Sequence, residues 1–182
     1  MTQYARPDND TSNAGNWEPQ DDGAGMPPDH LYECLNKTSP TADQKYMKVA
    51  DDSGEGSALI CIIRLGDVTD PNSTSSHRFY WNAKDDGSGL PLTVSLLVGS
   101  DVVASKTTTL PTDYADDYLE LGGSEANFPS DQADYNNLQL KFSLTDEETY
   151  GDYCYVRQAW FQCPDAAAPS ATTSPAFLLF VD

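Results

Sequence analysis

The stretch LTVSLLVGSDVVASKTTTL, residues 92–110, decides the fold class. Leu92, Val94, Leu96 and Val98 fall on one face of an extended chain, with Thr93 and Ser95 on the other. That alternation is the period of a half-buried β-strand. Gly99-Ser100-Asp101 supplies turn chemistry, and Val102, Ala104 and Lys106 return along a partner strand. The whole is therefore a β-hairpin.

Working outward, the same signature recurs. In residues 138–144, Leu138, Leu140, Phe142 and Leu144 face one way, with Gln139, Lys141 and Ser143 opposite. Residues 77–84 alternate, Phe79 and Trp81 on one face, Arg78 and Tyr80 on the other. Residues 58–65 (ALICIIRL) are nearly all apolar, which suits a strand covered on both faces. Residues 31–36, 46–50 and 118–121 are shorter candidates, and residues 153–163 make the last long strand. No long helical period appears. Short strands with turn signals between them predict an all-β fold: an antiparallel β-sandwich, jelly-roll or Greek-key like.

The two ends differ from this body. Residues 1–29 are polar and turn-rich, and are expected to form an extended N-terminal arm. Trp17 stands alone within it, either as an anchor for a partner or as a side chain packed on its own sandwich. Residues 30–165 hold the sandwich. Residues 166–182 follow as a Pro-punctuated linker and an apolar tail, Phe177-Leu178-Leu179-Phe180-Val181. Left free, such a tail invites aggregation. It is expected to dock, as a final strand of its own sheet or as a strand added to a neighbour.

Charge excludes whole classes of partner. Ten Lys and Arg against 29 Asp and Glu give a net charge of −19 and a pI near 4.1. That field repels phosphate backbones and anionic membrane surfaces, so neither nucleic acid nor membrane is expected as a partner. Residues 1–6 lack a signal-peptide pattern, which points to synthesis in a cytoplasm. Cys34, Cys61, Cys154 and Cys163 lack metal-site spacing and are expected as reduced, buried thiols. The rival is a Cys34–Cys163 bridge.

Catalytic constellations are missing from the sequence: it has no GxSxG, HExxH or phosphate-loop motif, and only His30 and His77. His77 is expected as a solvated loop residue. With 29 acids, adjacent carboxylate pairs such as Asp116-Asp117 arise by chance, and a glycan-cleaving site would need two in one cleft. No cofactor is expected; the best calcium candidate is the loop Asp85-Asp86-Gly87-Ser88-Gly89, which lacks the distal Glu of an EF-hand. Tyr80, Trp81, Tyr153, Tyr155 and Trp160 are core candidates first, and a sugar-stacking platform second.

One set of segments resembles a known domain. Arg6-Pro7-Asp8 with Ala14-Gly15-Asn16-Trp17, Asp29-His30-Leu31-Tyr32, Asn36-Lys37-Thr38-Ser39-Pro40, residues 92–110, and AWFQCP at 159–164 carry it. They resemble a β-sandwich domain of tailed-phage structural proteins, which include capsid decoration (cement) proteins and tail or fibre components. The resemblance spans roughly residues 6–164. This chain departs from it at Asn36-Lys37, where an acidic pair is common, and in its tail beyond Pro164. The resemblance implies a virion structural protein without enzymatic activity. It would be made in the host cytoplasm and sit on the capsid surface as a homotrimer. It would bind the major capsid protein or another virion protein; Trp17 and the tail Phe177 to Val181, which the resemblance does not account for, are the contact candidates read from the residues themselves. The alternative it leaves is a carbohydrate- or receptor-binding module of a tail or fibre, marked by exposed coplanar aromatics.

Overall fold

The computed structural model describes residues 2–22, 28–36, 45–50, 58–87, 89–145 and 152–166. They form two antiparallel sheets packed over a shared core. Strands β1 (Thr2–Ala5), β3 (Glu18–Asp21), β4 (Lys45–Ala50), β6 (His77–Asp85), β9 (Ala115–Leu121) and β11 (Tyr153–Pro164) make the six-stranded sheet. Strands β2 (Pro7–Asn13), β5 (Ala58–Leu65), β7 (Pro91–Val98), β8 (Asp101–Thr109) and β10 (Leu138–Thr145) make the five-stranded one.

The pairing explains the architecture. The hairpin β7–β8 is the tip of one long folded ribbon. Moving back from the tip, β6 pairs β9, β5 pairs β10 and β4 pairs β11. Successive rungs lie in alternate sheets, so the ribbon is rolled into an eight-stranded jelly roll. The core is filled by the inward sets: Leu92, Val94 and Leu96 from β7, Leu138, Leu140, Phe142 and Leu144 from β10, and Phe79 and Trp81 from β6. Strand β5, expected to be covered on both faces, buries Leu59, Cys61, Ile63 and Leu65 and leaves Ile60, Ile62 and Arg64 half-buried. Its central position between β2 and β10 explains the apolar run.

Residues 2–21, expected as an arm, instead supply three strands: β1 pairs with β11, β2 with β5 and β3 with β4. Trp17 accordingly sits in the protein's own core at 2% exposure. Its Nε1 donates to the Leu59 carbonyl at 3.3 Å, and its ring lies 6.3 Å from that of Phe142. The tail residues Phe177, Leu178, Leu179, Phe180 and Val181 lie outside the described residues.

Two other expectations change. Residues 31–36 are not a strand; Leu31–Leu35 is a short helix, α1, burying Leu31, Cys34 and Leu35 on one side. Its free N–H groups at Leu31 and Tyr32 donate to the Asp10 carboxylate of β2, at 2.9 and 2.8 Å. His77 is fully buried, not solvated. Its Nε2 is 2.8 Å from the Tyr135 hydroxyl and its Nδ1 3.0 Å from the Ser75 carbonyl, with the Phe128 ring edge-on at 4.9 Å. Tyr135 closes the short helix α2 (Gln132–Tyr135), which Asp131 caps through Ala133 N and Asp134 N. All four cysteines are free and buried, and burial pushes the Cys163 thiol up to about 12. Among the described residues no helix is long and apolar enough to cross a membrane.

Candidate functional site

Side chains on the outer face of the six-stranded sheet fall into rows, because antiparallel register aligns alternate residues across strands. One row is aromatic. Trp160 of β11, Tyr80 of β6 and Tyr118 of β9 are direct cross-strand partners. The Trp160 and Tyr80 rings lie 4.9 Å apart and nearly parallel at 17°, and Tyr80 and Tyr118 follow at 5.5 Å. Arg6 closes the row at one end, its guanidinium 5.9 Å from the Trp160 ring and 6.0 Å from that of Tyr4. At the other end Tyr118 is 47% exposed, and Tyr4, beside the row on β1, is 51% exposed. These two are the most exposed large apolar side chains among the described residues.

Polar rows flank the aromatic one on both sides. On one side Gln162, Arg78 and Glu120 stand in register. Arg78 donates to the Tyr80 hydroxyl at 3.2 Å and pairs with Glu120 at 2.8 Å. On the other side Arg157 Nε donates to Asn82 Oδ1 at 2.6 Å, and Asn82 Nδ2 to Asp116 Oδ1 at 2.7 Å. Rows on one face are two residues apart along a strand, roughly 7 Å. The face thus offers an apolar strip edged by hydrogen-bonding groups.

Beyond the second polar row lies a second aromatic group, on β4 and the start of β11. Tyr46 and Tyr155 meet edge to face at 5.5 Å. Lys84 lies 4.9 Å from the Tyr155 ring and 5.1 Å from that of Tyr114, while Arg157 lies 4.2 Å from Tyr114. Burial and neighbouring acids or hydroxyls raise the pKa of Tyr46, Tyr114 and Tyr155, so all three remain neutral hydrogen-bonding phenols at any ordinary pH. Five of the ten cations, Arg6, Lys48, Arg78, Lys84 and Arg157, lie against the rings of this one sheet face in a chain of net charge −19. Half of the cations of a strongly acidic chain are therefore gathered on this face.

The platform residues named from the sequence separate cleanly. Tyr80, Tyr153, Tyr155 and Trp160 stand on this outer face; Trp81 is 1% exposed in the core. Sequence reasoning missed Tyr4, Tyr46, Tyr114 and Tyr118. Trp17, placed in the core, is not part of this face.

The carboxylates are occupied structurally. Asp85 accepts from the N–H groups of Gly87, Gly89 and Leu90, so the first carboxylate of the loop offered as a calcium site is held by backbone donors. Asp86 accepts from Tyr153 N at 2.9 Å. Asp116 and Asp117 line a 340 Å³ cleft with Trp81 and Pro111, but as neighbours on β9 they project to opposite faces. Asp117 accepts from Lys106, Thr108 and Tyr118 N. Burial alone would raise its pKa; those donors outweigh it and lower it, leaving an anion rather than a general acid.

A jelly-roll sandwich with an aromatic row on one sheet face is thus the class of molecule that fold and site define. No family model and no curated protein matches the sequence. Solved structures do match in shape. An exo-β-agarase superposes with a TM-score of 0.55 and 13% identity over 92% of this chain and 26% of that one. TmCBM61 in complex with β-1,4-galactotriose gives 0.43 and 8% over 85% and 92%. The enzymatically active domain of tailspike protein 4 of bacteriophage CBA120 gives 0.43 and 10% over 88% and 19%. The chain thus spans about a quarter of the agarase and a fifth of the tailspike domain. The agarase match, at 13% identity, is a likeness of fold alone.

Proposed function

We propose that the protein is a non-catalytic carbohydrate-binding module that holds a glycan on the outer face of its six-stranded sheet. The observation that carries this reading is the Trp160–Tyr80–Tyr118 row, set between rows of amide, guanidinium and carboxylate groups. A sugar ring presents C–H groups on its faces and hydroxyls around its rim. An apolar strip edged by donors and acceptors matches that distribution. The half-exposed rings of Tyr118 and Tyr4 supply the stacking surface, and Arg78, Glu120 and Gln162 supply the directional bonds.

Capsid decoration, the first expectation from the sequence, drew on an arm and a tail reaching out to partners. The arm is instead built into both sheets, and the tail lies outside the described residues. That reading keeps the acidic surface as its support.

Affinity electrophoresis through gels containing neutral and acidic plant, algal and bacterial-surface polysaccharides tests the proposal. Retardation by at least one neutral glycan is expected, reduced about five- to tenfold in affinity by Tyr118→Ala. No retardation by any of them, or retardation unaffected by both Tyr118→Ala and Trp160→Ala, overturns it.

A further inference from the structure

At the end of the sandwich, along β11 from the aromatic row, a separate cleft of 570 Å³ opens beneath the turn that joins β2 to β3. Asn13, Gly15, Asn16 and Trp17 form one wall, Lys48 and Tyr153 the other, with Glu18 at the rim. That volume is in the range of small-ligand sites.

The turn is fixed before any ligand arrives. The Asn13 side chain donates to the Trp17 carbonyl at 2.7 Å and accepts from Trp17 N at 2.9 Å, bridging the turn. Ala14 N donates to the Ile60 carbonyl at 2.9 Å. Gly15 lies so close to the β5 backbone that a Cβ would sit 2.4 Å from Ile60 N, so no other residue fits. Asn16 takes a left-handed φ of 54°, which Asn tolerates better than most side chains. The buried Trp17 ring pins the turn from below. Opposite, Lys48 Nζ lies 3.8 Å from the centre of the Tyr153 ring, and Asp86 holds the Tyr153 backbone. The Asn13 amide is thus spent on the turn, and Lys48, Glu18, Asn16 and the Tyr153 ring remain as the polar and aromatic lining of the cleft.

Resting on the carbohydrate reading above, we propose that this cleft is a second sugar subsite, taking one polyhydroxylated ring of the same glycan. Tyr153 and Trp160 are seven residues apart on β11, roughly 23 Å along the strand. A long glycan can therefore occupy both sites at once, whereas short oligosaccharides fill them separately. Linking two weak sites through one polymer raises apparent affinity without new contacts.

Titration calorimetry with the retarding polysaccharide and with its short oligosaccharides tests this. For the wild type, two oligosaccharides per protein are expected, and one site's worth of a long chain with at least tenfold higher affinity. Tyr153→Ala and, independently, Lys48→Gln should each leave one oligosaccharide bound and remove the gain for long chains. Trp160→Ala should also leave one, at the cleft. A wild type that binds a single oligosaccharide, lost in Trp160→Ala and unchanged in both cleft variants, overturns the second subsite while the sheet-face reading stands. Absence of binding by the wild type overturns both.

Discussion

Replacing Trp17 by Ala separates a folded N-terminus from a partner-binding arm. The side chain is 2% exposed and donates to the Leu59 carbonyl. Burying a Trp removes roughly 200 Å² from water. At about 25 cal/mol per Å² this amounts to about 5 kcal/mol, an upper figure because unfolded chains bury some area themselves. Large-to-small core substitutions at aromatic sites lose about 3–5 kcal/mol, which agrees. Such a loss is a large fraction of the 5–15 kcal/mol typical of a domain. For a chain of this size it corresponds to a fall in Tm of about 6–20 °C. Trp17→Phe keeps most of the volume but removes the Nε1 donor, and should lose about 1–2 kcal/mol. Urea unfolding followed by circular dichroism measures both. A Trp17→Ala change within about 0.5 kcal/mol of wild type, the usual range for surface positions, would refute the placement of residues 2–21 in the sheets.

Four further outcomes are expected. Burial lowers the pKa of His77 from 6.5, against weaker contributions from the Ser75 carbonyl and from Asp70 and Glu125. The unfolded chain therefore takes up a proton below about pH 6.5 that the folded one refuses, so stability falls as pH drops below that value. His77→Gln should flatten the dependence between pH 7 and 5 in melting curves, and an unchanged slope would contradict the buried assignment. Asp85→Ala strands the N–H groups of Gly87, Gly89 and Leu90 and should lose about 2–4 kcal/mol, Asp85→Asn less, in the same unfolding assay. Because Asp85 is committed to those donors, melting curves with calcium and with a chelator should coincide; stabilisation by calcium but not magnesium would contradict this. Intact mass after alkylation in denaturant should show four modified cysteines, and a mass short by one bridge would restore the Cys34–Cys163 alternative.

The parts of the fold legible in the sequence are those with one wet face and one dry. Strands β6 and β10, and β7 as far as Leu96, alternate in sequence, and their inward apolar sets are in the core. The edge strand β2 could not be found this way. Its side chains are mostly exposed, it has two register shifts, and it is held by backbone bonds to β5 that are blind to side-chain type. Helix α1 is too short for a period to show, and its N-terminal partner, Asp10, lies 21 residues away. The aromatic face was hidden by one residue. Simple alternation puts Tyr155 and Trp160 on opposite faces; the bulge between Val156 and Gln158 inverts the phase and gathers both, with Tyr153, on the outside. Tyr4 was unreadable for a different reason: its strand has no apolar pattern of its own and gains its face only by pairing with β11.

The three tryptophans provide the most direct test of the sheet face as a glycan site. Trp17 and Trp81 are in the core, and Trp160 is half-buried on the face, its Nε1–H itself buried and without a hydrogen-bond partner among the described residues. Indole N–H signals in a ¹H–¹⁵N NMR spectrum report each ring separately, once assigned by single Trp→Phe substitutions. Titration with a retarding glycan should move the Trp160 signal in a saturable manner and leave that of Trp81 in place. Saturable glycan binding that leaves the Trp160 signal unmoved would contradict the assignment of this face.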